Sequence, residues 1–589
     1  MPAATEKIEF MDEKPKSIWK KSWNGRSAIL FWSLLVATVI SWMILFVAFV
    51  NLSRPLADNF MPVAMIGFAG VIVGLCCFFW NPLRRALFVL ACFVTLLALF
   101  YAEEDRRGWH AWQKFKHEWE AKGEKFDLAS LAPPAVPDDQ NFALTPIVAS
   151  SYETFLDKNG HALRPRNTNI VNRLQMSIND DNVLLERPAS SDWRMARTSD
   201  LKAWQNYYRL LAAKTNEFPV PSQPQSPAAD VLLALSKYNS TLEELRQNGQ
   251  LPCSRFPLEY DKDDPSAMTL SHLAVLKGCA QVLEFRAIAE LQNEHSDQAL
   301  ADIKLILRLA DSIRTEPILI SHLVRIALVN FALQPVWEGL AERKWSDAQF
   351  AAIDQELNRL DFLADYKLAM RGECADDVGT IGFLERHRNR SNFNEVFDWG
   401  DDVAILYYFG PNGWFEQSKL RIGRFFVEQY LPLANVDRQT VSPASVRNTD
   451  ALLRAATKHE GLFNFLERML LPELGTVAKR FAYAQTSVDL ARVAIALEHY
   501  RLMHGEYPES LDALAPQFIA KLPHDVINGQ PLHYRRTSDG QFVLYSVGWN
   551  ETDDGGVVET KVVGVTDRKS QTPIWDISQG DWVWRYPAR

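Results

Sequence analysis

Four side chains that offer hard oxygen donors stand close together near the end of the chain: Asn550, Glu551, Asp553 and Asp554, followed by Gly555-Gly556. A calcium ion takes about 6–8 oxygens at roughly 2.3–2.6 Å from carboxylates, amides and backbone carbonyls on a flexible loop. This loop has the donors and the glycines to fold around an ion, so it is the candidate calcium site. The competing reading is a solvated acidic turn. A second cluster, Arg371-Gly-Glu373-Cys374-Ala-Asp376-Asp377, gathers three carboxylates and a thiol. It has the groups of an acid–base pair, or it is a helix end with Arg371 and Glu373 paired to neighbours. The run Arg386-His-Arg-Asn-Arg390 is a basic knot suited to lipid headgroups or an acidic partner, or simply a solvated loop. His322 and Arg325, one turn apart in an apolar stretch, read as a buried hydrogen-bonded pair.

Six cysteines are present. Cys76, Cys77 and Cys92 fall in apolar runs, where a thiol acts as a small hydrophobe. Cys253, Cys279 and Cys374 fall in the polar remainder, and Cys253–Cys279 is the candidate disulfide outside the cytoplasm. His-Glu-x-x-His, Gly-x-Ser-x-Gly, Gly-x-Gly-x-x-Gly and P-loop arrangements do not occur. No catalytic residues are identified, and the reading is non-enzymatic before it is enzymatic.

The elements that must carry these groups begin with three apolar runs, Ser27–Phe49, Met61–Trp80 and Ala86–Ala102. A helix needs about 20 residues to cross a hydrocarbon core of roughly 30 Å. The first two runs meet that length and the third is short but uncharged. We expect three transmembrane helices, with a two-span hairpin as the alternative. Lys14, Lys16, Lys20, Lys21 and Arg26 precede the first run, and Arg84-Arg85 separate the second from the third. The intervening loop has only Arg54. Basic residues in short loops face the cytoplasm, which puts the N-terminus inside and everything from Glu103 onward outside. Arg106 and Arg107 run against that assignment. Trp19, Trp23, Trp80, Trp109 and Trp112 fall where an interfacial aromatic belt would use them.

The chain has 589 residues and a net charge of −9. That length calls for more than one core, and no basic tract supplies the phosphate neutralisation that nucleic-acid binding requires. The expected class is mostly α. Residues 1–26 form a cytoplasmic N-terminus and 27–102 the spans. Residues 103–140 hold a membrane-exit helix and a Pro-rich linker, 141–470 a mainly helical body, and 471–589 a small α+β domain. In the body, Ala228–Asn248, Leu270–Gln292, Asp297–Ile313, Ile318–Leu340 and Ser346–Leu360 carry 3.6-residue periodicity, with Ser296 as a helix N-cap. Two of these pair like a tetratricopeptide-type hairpin, without a clean repeat. Ser199–Lys214 is the clearest helix in an otherwise loop-rich 141–219. Asp361–Pro443 reads as loops packed over helices, with a helix at Phe415–Tyr430.

The tail reads as a long helix over Thr476–Met503, a turn at Gly505, a short helix over Glu509–Leu514, and strands at Leu532–Arg536 and Gln541–Val547 joined through Asp539-Gly540. Four phrases accompany this order: His504-Gly505-x-Tyr507-Pro508, Leu522-Pro523-x-Asp525, Gly529-x-Pro531-x-x-Tyr534 and Ser546-x-Gly548. Together they resemble the globular head of the major pseudopilins of type II secretion. That resemblance implies a calcium loop at Asn550–Asp554, although Asn550 stands where those heads favour Asp and their later Asp-x-Asp is missing. It does not extend to a processed leader, so polymerisation into a pseudopilus is not implied. The whole chain also resembles a group of large uncharacterised bacterial membrane proteins. The shared wording is Gly108-Trp-His-Ala-Trp, Pro137-Asp-Asp-Gln-Asn-Phe, Cys253-Ser-Arg-Phe-Pro-Leu and Tyr545-Ser-Val-Gly-Trp-Asn-Glu-Thr-Asp-Asp-Gly-Gly. These readings lead us to expect a protein of the bacterial inner membrane with a periplasmic body. It would act as a scaffold with a lipid bilayer and a protein as partners, within an envelope or secretion assembly. The alternative is an extracytoplasmic hydrolase centred on Glu373–Asp377.

Overall fold

The computed structural model describes residues 82–151, 173–180, 182–388, 409–458, 465–471, 474–561 and 574–587, with two short strands at Phe155–Leu156 and Ala162–Leu163. The apolar runs at 27–49 and 61–80, their basic flanks, Trp19, Trp23, Trp80, Cys76 and Cys77 lie outside the described residues. So do 389–408, which include Arg390.

The chain divides into two compact units, residues 1–100 and 101–589. In the first, the opening part of the Pro82–Glu120 helix exposes Val89, Leu90, Phe93, Val94, Leu97 and Phe100. Its hydroxyl group at Thr95 is satisfied by its own backbone, donating to Ala91 O at 2.8 Å.

The second unit is mostly helical, with small sheets near the C-terminus. Here the end of the same helix buries Trp112 and Phe115 against Phe126. Trp112 is therefore a core residue and no interfacial anchor; Trp109 is exposed. Helices Ser271–Gln292 and Ser296–Ser312 are separated by a tight turn in which Glu294 takes a left-handed conformation (φ 62°). Each packs on the other and on Leu319–Ala341. Ser296 is not the expected N-cap: it is the first helical residue, and its hydroxyl accepts from Gln349 Nε2 at 3.0 Å. Ser346 does cap Asp347–Leu357, in a capping box with Gln349. The helix expected over 228–248 is broken into Pro227–Leu235, a 3₁₀ turn at Ser236–Tyr238, and Asn239–Asn248.

The loops expected after Asp361 are instead a 25-residue helix, Phe362–Arg386. Its glycines discourage a helical reading, because glycine costs up to about 1 kcal/mol in a helix interior. Packing explains them. A Cβ on Gly372 would sit 1.7 Å from the Pro317 carbonyl oxygen, and one on Gly379 would sit 2.8 Å from Pro265 Cγ. The neighbouring chain runs where side chains would be. Asp361 caps this helix, its carboxylate accepting from Leu363 N and Ala364 N at 3.1 and 2.9 Å. Asn412–Phe425 follows and runs into a π-turn at Phe426–Tyr430.

The tail follows its expected order. Helix Gly475–His504 ends at Gly505 (φ 86°), a 3₁₀ turn covers Leu511–Leu514, and antiparallel strands form at His533–Arg536, Phe542–Ser546 and Trp582–Arg585. The middle strand is Phe542–Ser546, and Val558–Lys561 pairs separately with Ile574–Gly580. The boundary expected at 470/471 lies inside the second unit. The long helix is buried through most of its length, Gln485 Oε1 accepts from Phe362 N at 2.9 Å, and Trp337 Nε1 donates to Arg585 O at 2.9 Å.

Candidate functional site

A cleft of about 430 Å³ opens where several helix ends meet. Arg314 and Thr315 follow helix Ser296–Ser312, Arg325 comes from the second turn of Leu319–Ala341, and Arg359 follows Asp347–Leu357. Asp361 and Asp365 come from the start of Phe362–Arg386, and Leu131 to Pro134 form an apolar wall. Arg325 is 1% exposed. Its Nε lies 3.4 Å from Asp365 Oδ2, its guanidinium carbon lies 5.4 Å from the centre of the Phe362 ring, and neither Nε nor Nη1 has a hydrogen-bond partner. Burial lowers the Arg325 pKa and pushes the Asp365 carboxyl up to about 6, against the pull of Arg325. Arg314 and Arg359 are largely exposed and, among the described residues, pair with Asp311 (3.3 Å) and Glu356 (3.2 Å). Such surface pairs are weak, so both side chains are free to re-aim. Of this constellation the sequence singled out Arg325 alone. The others gave no signal, because Asp361 and Asp365 belong to a helix that was read as a loop.

The residues expected to bear function lie elsewhere. His322 is fully buried, with Nε2 donating to Glu316 O at 2.9 Å, and burial pushes its pKa down to about 3. It is therefore a neutral core histidine, bonded to Glu316 and not to Arg325. Glu373, Asp376 and Asp377 sit mid-helix rather than at a helix end, and Arg371 forms a bidentate pair with Glu124 at 2.7 and 2.9 Å. Burial pushes Glu373 up to about 7, helped by Asp376, and Asp376 up to about 6, helped by Asp264. Asp377 is raised by burial and by both neighbours, and its Oδ2 has no hydrogen bond. None of the three lines the cleft. Cys374 is buried with its thiol pushed up by burial, which leaves little thiolate to act as a nucleophile.

The described part of the basic knot pairs with neighbours at the surface. Arg386 and His387 both bind Asp263 at 2.6 Å, and Arg388 Nη1 donates to Gly410 O at 2.6 Å. The expected Cys253–Cys279 bridge is not formed, and both thiols are free. Cys279 is buried and points at Leu174 O (3.8 Å), while the Cys253 backbone pairs with Asn141 and Arg308. Burial pushes the Cys279 thiol up to about 12.

In the Asn550–Asp554 loop one oxygen of each carboxylate accepts from a protein donor. Asn550 Nδ2 donates to Asp554 Oδ2 at 2.8 Å and Arg447 Nη2 to Glu551 Oε2 at 2.5 Å. Asp553 Oδ1 accepts from Tyr545 OH at 3.0 Å and Gly555 N at 2.9 Å. Among the described residues no three His, Cys, Asp or Glu gather as a metal group.

The four phrases of the tail, by contrast, interlock. Tyr534 OH donates to Pro508 O at 2.7 Å, joining the first to the third. Fully buried Asp525 accepts from Ser546 Oγ at 2.8 Å and Val547 N at 3.0 Å, joining the second to the fourth. Tyr507 OH donates to Glu498 Oε1 at 2.6 Å, fixing the first phrase to the long helix. They make a structural lock, with no reacting group left over. Comparison with protein-family models, curated proteins and solved structures finds no match.

Proposed function

We propose that the chain is a membrane-anchored scaffold of the bacterial envelope. In this reading the N-terminus is cytoplasmic, the body from Glu103 onward lies on the far side of the inner membrane, and the body binds another protein. The observation that carries it is the exposed apolar face of Val89, Leu90, Phe93, Val94, Leu97 and Phe100 on an uncharged stretch. A contiguous face of that kind is costly in water and suits lipid or a protein partner. Arg106 and Arg107, which oppose the orientation, are paired to Glu103 (2.9 Å) and Glu104 (3.2 Å). The interlocked tail supports the pseudopilin-head reading of 471–589, here packed into the body rather than standing apart. The hydrolase reading draws on the raised carboxyls of Glu373 and Asp376, but they do not line the Arg325 cleft, and burial keeps the neighbouring Cys374 thiol protonated.

Fusions at Arg589 test the topology. Alkaline phosphatase, active only outside the cytoplasm, is expected to be active there, and green fluorescent protein, which folds poorly after export, is expected to be dark. A bright, phosphatase-negative pair overturns the proposal.

A further inference from the structure

We propose that the corner at Phe409–Gly413 makes a second contact between the chain and the membrane, with Phe409 lying in the lipid interface beside Tyr101. This contact rests on the anchored-scaffold reading, in which Ala86–Ala102 crosses the bilayer, and adds to it a part of the body far away in sequence.

The corner is fixed to the helix segment that follows the apolar stretch. Tyr101 OH donates to Phe409 O, 308 residues along the chain. Asp105 Oδ1 accepts from Gly413 N at 2.7 Å, and Glu104 Oε2 accepts from Gln417 Nε2 at 3.0 Å. The backbones themselves touch. A Cβ on Gly413 would lie 2.0 Å from Glu104 O, and one on Gly108 would lie 2.4 Å from Gly413 O, an approach that glycine permits because it has no Cβ. From the other side, Arg388 Nη1 donates to Gly410 O at 2.6 Å and its Nη2 to Asn412 Oδ1.

Held on both sides, the corner inverts the usual order of burial. Gly410 and Pro411 are buried, whereas Phe409 is 66% exposed. Its place along the exit helix points to what covers it. Tyr101 directly follows Phe100, at the end of an uncharged run that closes at Ala102. The polar layer outside a hydrocarbon core is roughly 5–8 Å deep on each face, and Tyr101 to Asp105 rises about 6 Å at 1.5 Å per residue. The helix segment that holds the corner is therefore the segment that crosses that layer. Aromatic side chains are favoured there, because an apolar ring is half sheltered by the acyl boundary.

Charge does not drive the contact. Arg106 is paired to Glu103 at 2.9 Å and Arg107 to Glu104 at 3.2 Å, and Asp105 is taken by the Gly413 amide. The exposed ring is what this level of the body offers, so a neutral bilayer serves as well as an anionic one.

Benzoyl-phenylalanine placed in turn at Val94, Phe409 and Leu502 of the full chain tests this. Each chain is reconstituted in phosphatidylcholine vesicles and in vesicles that also contain phosphatidylglycerol, and lipid adducts are read by mass spectrometry. Leu502 is 51% exposed near the end of helix Gly475–His504 and controls for exposure alone. Adducts are expected at 94 and at 409, with a yield at 409 several times that at 502 and alike in the two lipids. Adducts at 94 without adducts at 409 overturn this inference and leave the anchor standing. An absence of adducts at 94 overturns both. The inference also falls if 502 is labelled as strongly as 409, if 409 is labelled only with phosphatidylglycerol present, or if 409 cross-links to a second copy of the chain in place of lipid.

Discussion

Two apolar helical stretches, Ala86–Phe100 and Leu319–Ala341, look alike by composition and are solved in opposite ways. The first turns its large side chains outward, with Phe93 61% exposed, and its one hydroxyl bonds to its own backbone. The second is long and apolar enough to cross a membrane, yet 67% of its apolar window is buried in protein. Its polar groups reach out of the helix. Ser321 Oγ donates to Glu316, Gln334 Oε1 accepts from Trp193 N at 2.7 Å, and Glu338 Oε1 accepts from Ser199 N at 3.0 Å. Hydropathy does not separate the two, but exposure does.

The sharpest way to break this contrast is chemical. With a photo-reactive phospholipid in a reconstituted bilayer, adducts mapped by mass spectrometry are expected on Val89–Phe100 and to be absent from Leu319–Ala341. Adducts on exposed Ile320 at comparable yield would put both helices in lipid and end the distinction.

Packing supplies the next largest effect. A Cβ on Gly339 would lie 2.2 Å from Trp345 Nε1 and 2.5 Å from Cε2 of the same buried ring. The ring is held by its own bond to Val336 O at 3.2 Å. Gly339→Ala is therefore expected to destabilise the body by about 3 kcal/mol, at the upper end of overpacking costs. Ala98→Leu, on the outward-facing stretch, is expected to change stability by less than about 0.5 kcal/mol. Denaturant unfolding of both variants checks the ratio, and comparable losses would mean that Ala98 also faces a packed core.

The same glycines show where the sequence stopped being legible. Periodicity marked the helices flanking the turns at 293–295 and 343–346, and the tail order followed from Gly505, Pro508 and the Asp539-Gly540 turn. These are local signals. Helix Phe362–Arg386 was lost because Gly372 and Gly379 are set by Pro317 and Pro265, which are distant in sequence. The cleft went with it, since Asp361 and Asp365 have meaning only once that helix brings them to Arg325. The Asn550–Asp554 loop was legible as a donor set. What the sequence did not carry was that Arg447 and Tyr545 would already hold one oxygen each.

The smallest expected effect lies within the core helix, where two titrating groups pull stability in opposite directions. His322 has its pKa pushed by burial from 6.5 down to about 3. Between those values the unfolded chain takes a proton that the folded chain refuses, so this contribution is present above about pH 6.5 and is lost on acidification. Glu338 has its pKa pushed by burial from 4.5 up to about 7. There the folded chain keeps a proton that the unfolded chain has released, so this contribution is present below about pH 4.5 and is lost as pH rises to about 7. Melting midpoints of the parent chain, His322→Gln and Glu338→Gln from pH 4 to 8 separate them. His322→Gln is expected to flatten the acid limb and Glu338→Gln the neutral limb, each by about 1–2 °C at this chain length. Unchanged pH profiles in both variants would mean that neither His322 nor Glu338 carries its limb.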